Sequence, residues 1–300
     1  MRDNFIKLIW HPAALALVAS VVVSGCGAVD RDTAIRQGNA AYEAGNFAEA
    51  RKHFKSLAKL EPENYLAAYN LGMAHFKSGE YSAATESFER AERLYNGDGT
   101  DALEAIAVSR RLAGDPDAAL RAYDRAIERV KRQPNLIAGM AQCHVEKNQI
   151  DYANQLLKEA LTTSEGRDPA ALFNMGQLFL KPALNNPVES AKCFYQFLIY
   201  HRKNPDYAAE VTRAAKILCD LSDSTDITLK LQVFELIVKA GQAPTPEERL
   251  RIASVAFSMN PASIEALRAC VEHSRFLGNT AQTAAAQEIL SILEQHRTRR

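Results

Sequence analysis

Gly38-Asn39-Ala40-Ala41-Tyr42-Glu43-Ala44-Gly45-Asn46-Phe47-Ala48-Glu49-Ala50 is answered, 34 residues on, by Gly72-Met73-Ala74-His75-Phe76-Lys77-Ser78-Gly79-Glu80-Tyr81-Ser82-Ala83-Ala84. The same offset separates Phe54 from Phe88. A third copy is carried by Ile106-Ala107, Gly114-Asp115-Pro116, Ala119, Tyr123 and Ala126, and a fourth by Met140-Ala141, Asn148, Ala153, Leu157 and Ala160. The fifth, Leu172-Phe173-Asn174-Met175-Gly176 with Ala191, Phe194-Tyr195 and Leu198, has a longer turn over 181–187. Gly or Ala at 38, 72, 107, 141 and 176 lets paired helices approach closely, and Gly45, Gly79 and Gly114 suit a tight connection. Phe47, Tyr81, Phe54 and Phe88 then fill the space between helices. One such unit cannot bury its apolar faces alone, so the copies are expected to stack into a continuous core.

This pattern resembles the tetratricopeptide repeat. The resemblance implies an all-α fold, a right-handed superhelical solenoid of antiparallel helix pairs, with two helices per ~34 residues and about 15 in all. Past Asn204-Pro205 the match weakens while helical periodicity persists over 207–221 and 227–240. Thr245-Pro246-Glu247-Glu248 is a helix start with a Thr cap and Pro in the first turn, opening a helix that runs to Met259 before Pro261. A last pair is expected over 264–277 and 280–296, turning at Gly278-Asn279. Repeats are therefore expected over 32–204 and an irregular helical cap over 205–300.

The N-terminus carries a different signal. Arg2 and Lys7 precede an apolar run over 13–23 that closes on Ser24-Gly25-Cys26, the arrangement of a secretory signal peptide. Eleven residues at 1.5 Å each are too short for roughly 30 Å of hydrocarbon. Val23-Ser24-Gly25-Cys26 resembles the lipobox of bacterial lipoproteins, which implies removal of 1–25, lipidation of Cys26 and a short tether over 26–31. Several acyl chains would hold the protein on a membrane essentially permanently. By the same resemblance Gly27, standing where Asp would favour the inner membrane, points to the outer membrane, facing the periplasm.

Composition narrows the function. The 36 Lys+Arg and 36 Asp+Glu cancel, and 34 and 35 of them remain from residue 26 onward, which argues against a nucleic-acid partner. No G-x-S-x-G, Walker loop, H-E-x-x-H or C-x-x-C is present, and neither cofactor nor metal is expected. His75 and His144 hold equivalent places in their repeats, too far apart for a shared metal. Cys143, Cys193, Cys219 and Cys270 fall in different repeats and are read as buried thiols.

In the tetratricopeptide family the first helix of each pair lines a groove for peptides or partner helices. Carried over, that groove comprises Ile35, Asn39 and Tyr42, then Tyr69, Asn70, Met73, Phe76 and Lys77, then Glu104, Val108, Arg111, Gln142, Phe173 and Gln177. Asn39 and Asn70 match two residues of the clamp that holds a C-terminal carboxylate, but Ile35, Asp101 and Ala105 replace its basic members. What remains is an aromatic and Met patch suited to a segment with apolar anchors. The implied function is that of a non-enzymatic, membrane-anchored periplasmic scaffold binding other envelope proteins, in assembly of an outer-membrane, pilus or secretion complex. An adaptor for cell-wall hydrolases or proteases is the alternative. A hydrolase site after residue 205, drawing on His201, Asp206 and His273, is a further one, and the oligomeric state is left open.

Overall fold

The computed structural model describes residues 30–277 and 280–298. The expected signal peptide, Cys26 and the turn at 278–279 lie outside the described residues. Among the described residues there are fifteen α-helices, two short 3-10 turns and no strand. They form two compact units, divided between residues 149 and 150.

The first unit holds α1 (Arg31–Glu43), α2 (Phe47–Leu60), α3 (Tyr65–Lys77), α4 (Tyr81–Leu94), α5 (Asp101–Leu112), α6 (Pro116–Val130) and α7 (Pro134–Glu146). Each helix packs on the next. The repeated turn has a specific cause. Gly45, Gly79 and Gly114 take φ of 74°, 78° and 89°, and Asn148, the residue in that place in the fourth copy, takes 58°. This left-handed residue lets the next N–H reach back five residues: Asn46 to Ala41 O at 2.8 Å, Glu80 to His75 O at 3.0 Å, Asp115 to Arg110 O at 3.0 Å and Gln149 to His144 O at 2.8 Å. The following helix then starts on a side-chain cap where Asp115 accepts from the Ala118 N–H at 2.9 Å.

The small residues work as expected. A Cβ on Gly38 would lie 2.6 Å from the Phe54 ring, and one on Gly72 2.6 Å from Phe88. Each glycine is thus the recess into which the ring of the paired helix sinks. In the third copy Ala107 fills that place, and the Tyr123 ring instead meets Gly139 of the next helix, where a Cβ has no room.

The second unit holds α8 (Ile150–Thr163), α9 (Pro169–Phe179), α10 (Pro187–His201), α11 (Ala208–Ser224), α12 (Ile227–Gln242), α13 (Pro246–Met259), α14 (Ile264–Ser274) and α15 (Thr280–Thr298). Gly176 repeats the device, a Cβ there falling 2.9 Å from Phe194. Thr245 caps α13 as expected, accepting from the Glu248 N–H at 3.2 Å. The expected boundary at 204/205 is bridged by one core: Leu172, Phe194, Phe197, Leu218, Ile264, Leu267, Ile289 and Leu293 lie together. α11 and α15 close over α10, so the chain past residue 205 completes the same unit that α9 and α10 begin.

α12 departs from the rest. Leu229, Val233, Leu236 and Ile237 face α13 and α14. Ile227, Leu231, Phe234 and Val238 point outward, with Ile227 66% and Phe234 62% exposed. A helix apolar on both sides would normally be covered on both.

Candidate partner-binding face

The groove residues expected from sequence divide sharply in the structure. Tyr69, Met73, Phe76, Phe173 and Arg111 are buried, at 3%, 8%, 6%, 3% and 5% exposure. Tyr69 packs against Phe88 with centroids 5.2 Å apart, and Phe76 meets Tyr81 edge-on at 5.6 Å. Phe173 sits between Phe194 and Phe197, under the Arg213 guanidinium. Arg111 is committed to Glu146 at 2.5 Å. Second helices flank each first helix, so the side chains at 69, 73 and 76 of the expected aromatic and Met patch fall between helices. Asn39, Tyr42, Asn70, Lys77 and Gln177 remain half-buried. Tyr42 leans on Ala50, Phe54 and Ala74, edge-on to Phe47.

What this face of the first unit offers instead is acidic. Glu104, on α5, is only 9% exposed and is held by neutral donors alone, the Thr100 hydroxyl at 2.8 Å and the Asn135 amide of α7 at 2.9 Å. Burial pushes its pKa up to about 7, against the pull of those two hydrogen bonds and with help from Asp101. Asp101, at the start of the same helix, is half-buried and likewise raised by burial. Tyr65 and Tyr69 of α3 stand beside the pair: burial raises both phenols, the Asp101 charge adds to each, and Glu104 adds to Tyr69. Tyr65 rests on Tyr95 at 4.8 Å. Among the described residues no Lys or Arg pairs with Asp101 or Glu104. Two cations of this unit are engaged elsewhere, Arg110 with Glu89 and Arg129 with Glu92, each at 2.5 Å.

Residues 35–99 match one tetratricopeptide repeat family model and residues 111–172 another. These two stretches are tetratricopeptide repeats. Among curated proteins the chain is similar to Superkiller complex protein 3 of Mus musculus, 23% identical over 155 residues covering 48% of this chain and 10% of that one. It is also similar to the Hsp70-Hsp90 organizing protein of Triticum aestivum, 24% identical over 218 residues covering 72% of this chain and 34% of that one. The chain thus spans about a tenth and a third of the length of these curated relatives. Among solved structures, a thermophilic tetratricopeptide repeat protein of Thermus thermophilus is 19% identical with a TM-score of 0.48, covering 62% of this chain and 98% of that one.

The remaining polar side chains of the repeats have local tasks. His75 contacts Glu80 at 2.6 Å and His144 contacts Gln149 at 2.6 Å, each ring reaching across its own left-handed turn. Both histidines are turn clasps, five residues before Glu80 and Gln149. Cys143, Cys193, Cys219 and Cys270 carry thiols, in α7, α10, α11 and α14. Burial pushes Cys143 and Cys193 up to about 12 and Cys270 to about 11, which leaves them poor nucleophiles near neutral pH. His201 spends Nε2 on the Arg167 carbonyl at 3.0 Å and packs against Phe197 and Tyr207, and burial holds its pKa below the usual imidazole range. Among the described residues no helix is long and apolar enough to cross a membrane.

Sequence reasoning placed Glu104 among the groove positions and noted Asp101 where a base was wanted, but it missed Tyr65 and Asn135. A signal was available: Glu104 interrupts the apolar run Ala102-Leu103 and Ala105-Ile106-Ala107-Val108, four residues after Thr100.

Proposed function

We propose that the protein is an interaction scaffold of the bacterial envelope, lipid-anchored through Cys26, that faces the periplasm from the outer membrane and holds other envelope proteins on the first helices of its repeats. The service envisaged is assembly of an outer-membrane or secretion complex. The observation that carries the interaction reading is the condition of that face. Asn39, Asn70 and Tyr65 are half-buried on α1 and α3, yet no described residue hydrogen-bonds their side chains, so fixed amides and a hydroxyl stand ready for a second chain. The anchor reading is supported by the run 13–23 closing on Cys26. A relative named for organizing two other proteins, of which this chain spans about a third, agrees with a scaffold.

Two measurements test this. The wild type should fractionate with membranes while Cys26→Ala is released or left unprocessed; identical processing and membrane retention would remove the anchor. Cross-linking in intact cells should recover defined envelope proteins in stoichiometric complexes, and recovery of none would remove the scaffold.

A further inference from the structure

We infer that the first-helix face around α3, α5 and α7 receives a lysine or arginine side chain of an extended partner segment, its stem lying over Tyr65 and its cation held by Asp101 and Glu104. The inference rests on the scaffold reading and gives it a partner chemistry. Four observations converge. Glu104 is nine-tenths buried with both oxygens on neutral donors, Thr100 and Asn135, so a carboxylate has been placed where water is scarce and no cation among the described residues meets it. Asp101 adds a second carboxyl one turn away on α5, also without a basic partner. The Tyr69 side chain is 3% exposed, lies in the field of both carboxyls, and its hydroxyl makes no hydrogen bond to any described residue. Tyr65 presents a half-buried ring at the rim, steadied by Tyr95 and Tyr69.

A long basic side chain satisfies all four at once. Its methylenes cover the Tyr65 ring, its N–H groups reach the carboxylates and the Tyr69 oxygen, and the aromatic faces favour the positive charge. Glu104 is recessed at 9% exposure, so the cation must arrive on a stem. Asn70, adjacent to Tyr69 on α3, offers an unengaged amide to the main chain that carries it. Arg111 does not neutralise the site, because Glu146 holds it.

The experiment is fluorescence anisotropy on the full chain with a labelled peptide of alternating lysine and serine, against matched peptides with glutamate or only serine. The lysine peptide is expected to bind saturably, to weaken as salt is raised, and to lose tenfold or more in affinity on Asp101→Asn with Glu104→Gln. Because Glu104→Gln turns an amide toward Asn135, Asp101→Asn alone is the second variant, expected to lose several-fold while melting like the wild type. Equal binding of lysine and serine peptides, unchanged affinity in both variants, or no saturable lysine-peptide binding up to about 1 mM overturns the inference. The scaffold reading is judged separately: if cross-linked partners are still recovered from cells carrying Asp101→Asn with Glu104→Gln, the scaffold stands and its cation site does not.

Discussion

The first unit keeps its rings buried or half-buried, whereas the second leaves a row of large apolar side chains outside on α12. In the first unit Phe54 and Phe88 each sink into a glycine of the paired helix, and the rings of Tyr69 and Phe76 lie between helices. In the second, Gly176 and Phe194 repeat the device once, and then α12 displays Ile227, Leu231, Phe234 and Val238. Where a glycine lets two helices close on a ring, bulk goes inward and the outer face is free to be polar. Where the device lapses, a helix has apolar surface to spare. The polar face this creates in the first unit is the one that carries the unengaged amides and the acids Asp101 and Glu104.

The largest test of this contrast is to empty a recess. Phe88→Ala should cost about 3–5 kcal/mol, the range for aromatic deletions in a closed core, read as a shift in urea midpoint. A loss under about 1 kcal/mol would mean that the ring is not the closure we describe.

Next comes the buried acid. The folded Glu104 titrates at about 7, above the ordinary 4.5 of an unfolded glutamate. Between those values the native state keeps a proton that the unfolded chain has released, so stability falls as pH rises through the window and levels off above it. The term is on the order of 3 kcal/mol at most. Urea unfolding at pH 5 and pH 8 should show Glu104→Gln removing most of this decline. A bound partner cation should remove it as well, by favouring the charged form. Wild-type and Glu104→Gln curves falling in parallel would contradict the assignment.

Filling the recess instead of emptying it is the third test. Gly72→Ala should cost about 1–3 kcal/mol, because the Phe88 ring must move aside, and adding Phe88→Leu should recover part of that loss. The smallest effect belongs to the other unit: Phe234→Ser, on the exposed stripe, should change stability by no more than about 0.5 kcal/mol. Equal costs for Phe88→Ala and Phe234→Ser would erase the difference between the units.

The helix order was readable because the 34-residue spacing repeats a physical device, glycine against ring, because Gly45, Gly79 and Gly114 mark tight connections, and because Thr245-Pro246 marks a helix start. The face toward a partner was harder. Tyr65-Leu66-Ala67-Ala68-Tyr69-Asn70-Leu71-Gly72-Met73 is apolar nearly all round, and no period in such a run says which flank a second helix will cover. Tyr69 and Met73 therefore read as contact residues, and the structure buries both. Glu104 was legible as an acid out of place, but its pairing with Asn135 spans 31 residues and two helices, a juxtaposition that only folding creates.

The most direct test of the scaffold account is a photo-cross-linkable side chain at position 65, compared in intact cells with one at Glu86, exposed on a second helix of the same unit. We predict adducts to envelope proteins at 65 and not at 86, with the captured peptides carrying a lysine or arginine within a few residues of the attachment point. Adducts equal at both positions, or none at 65, would contradict it.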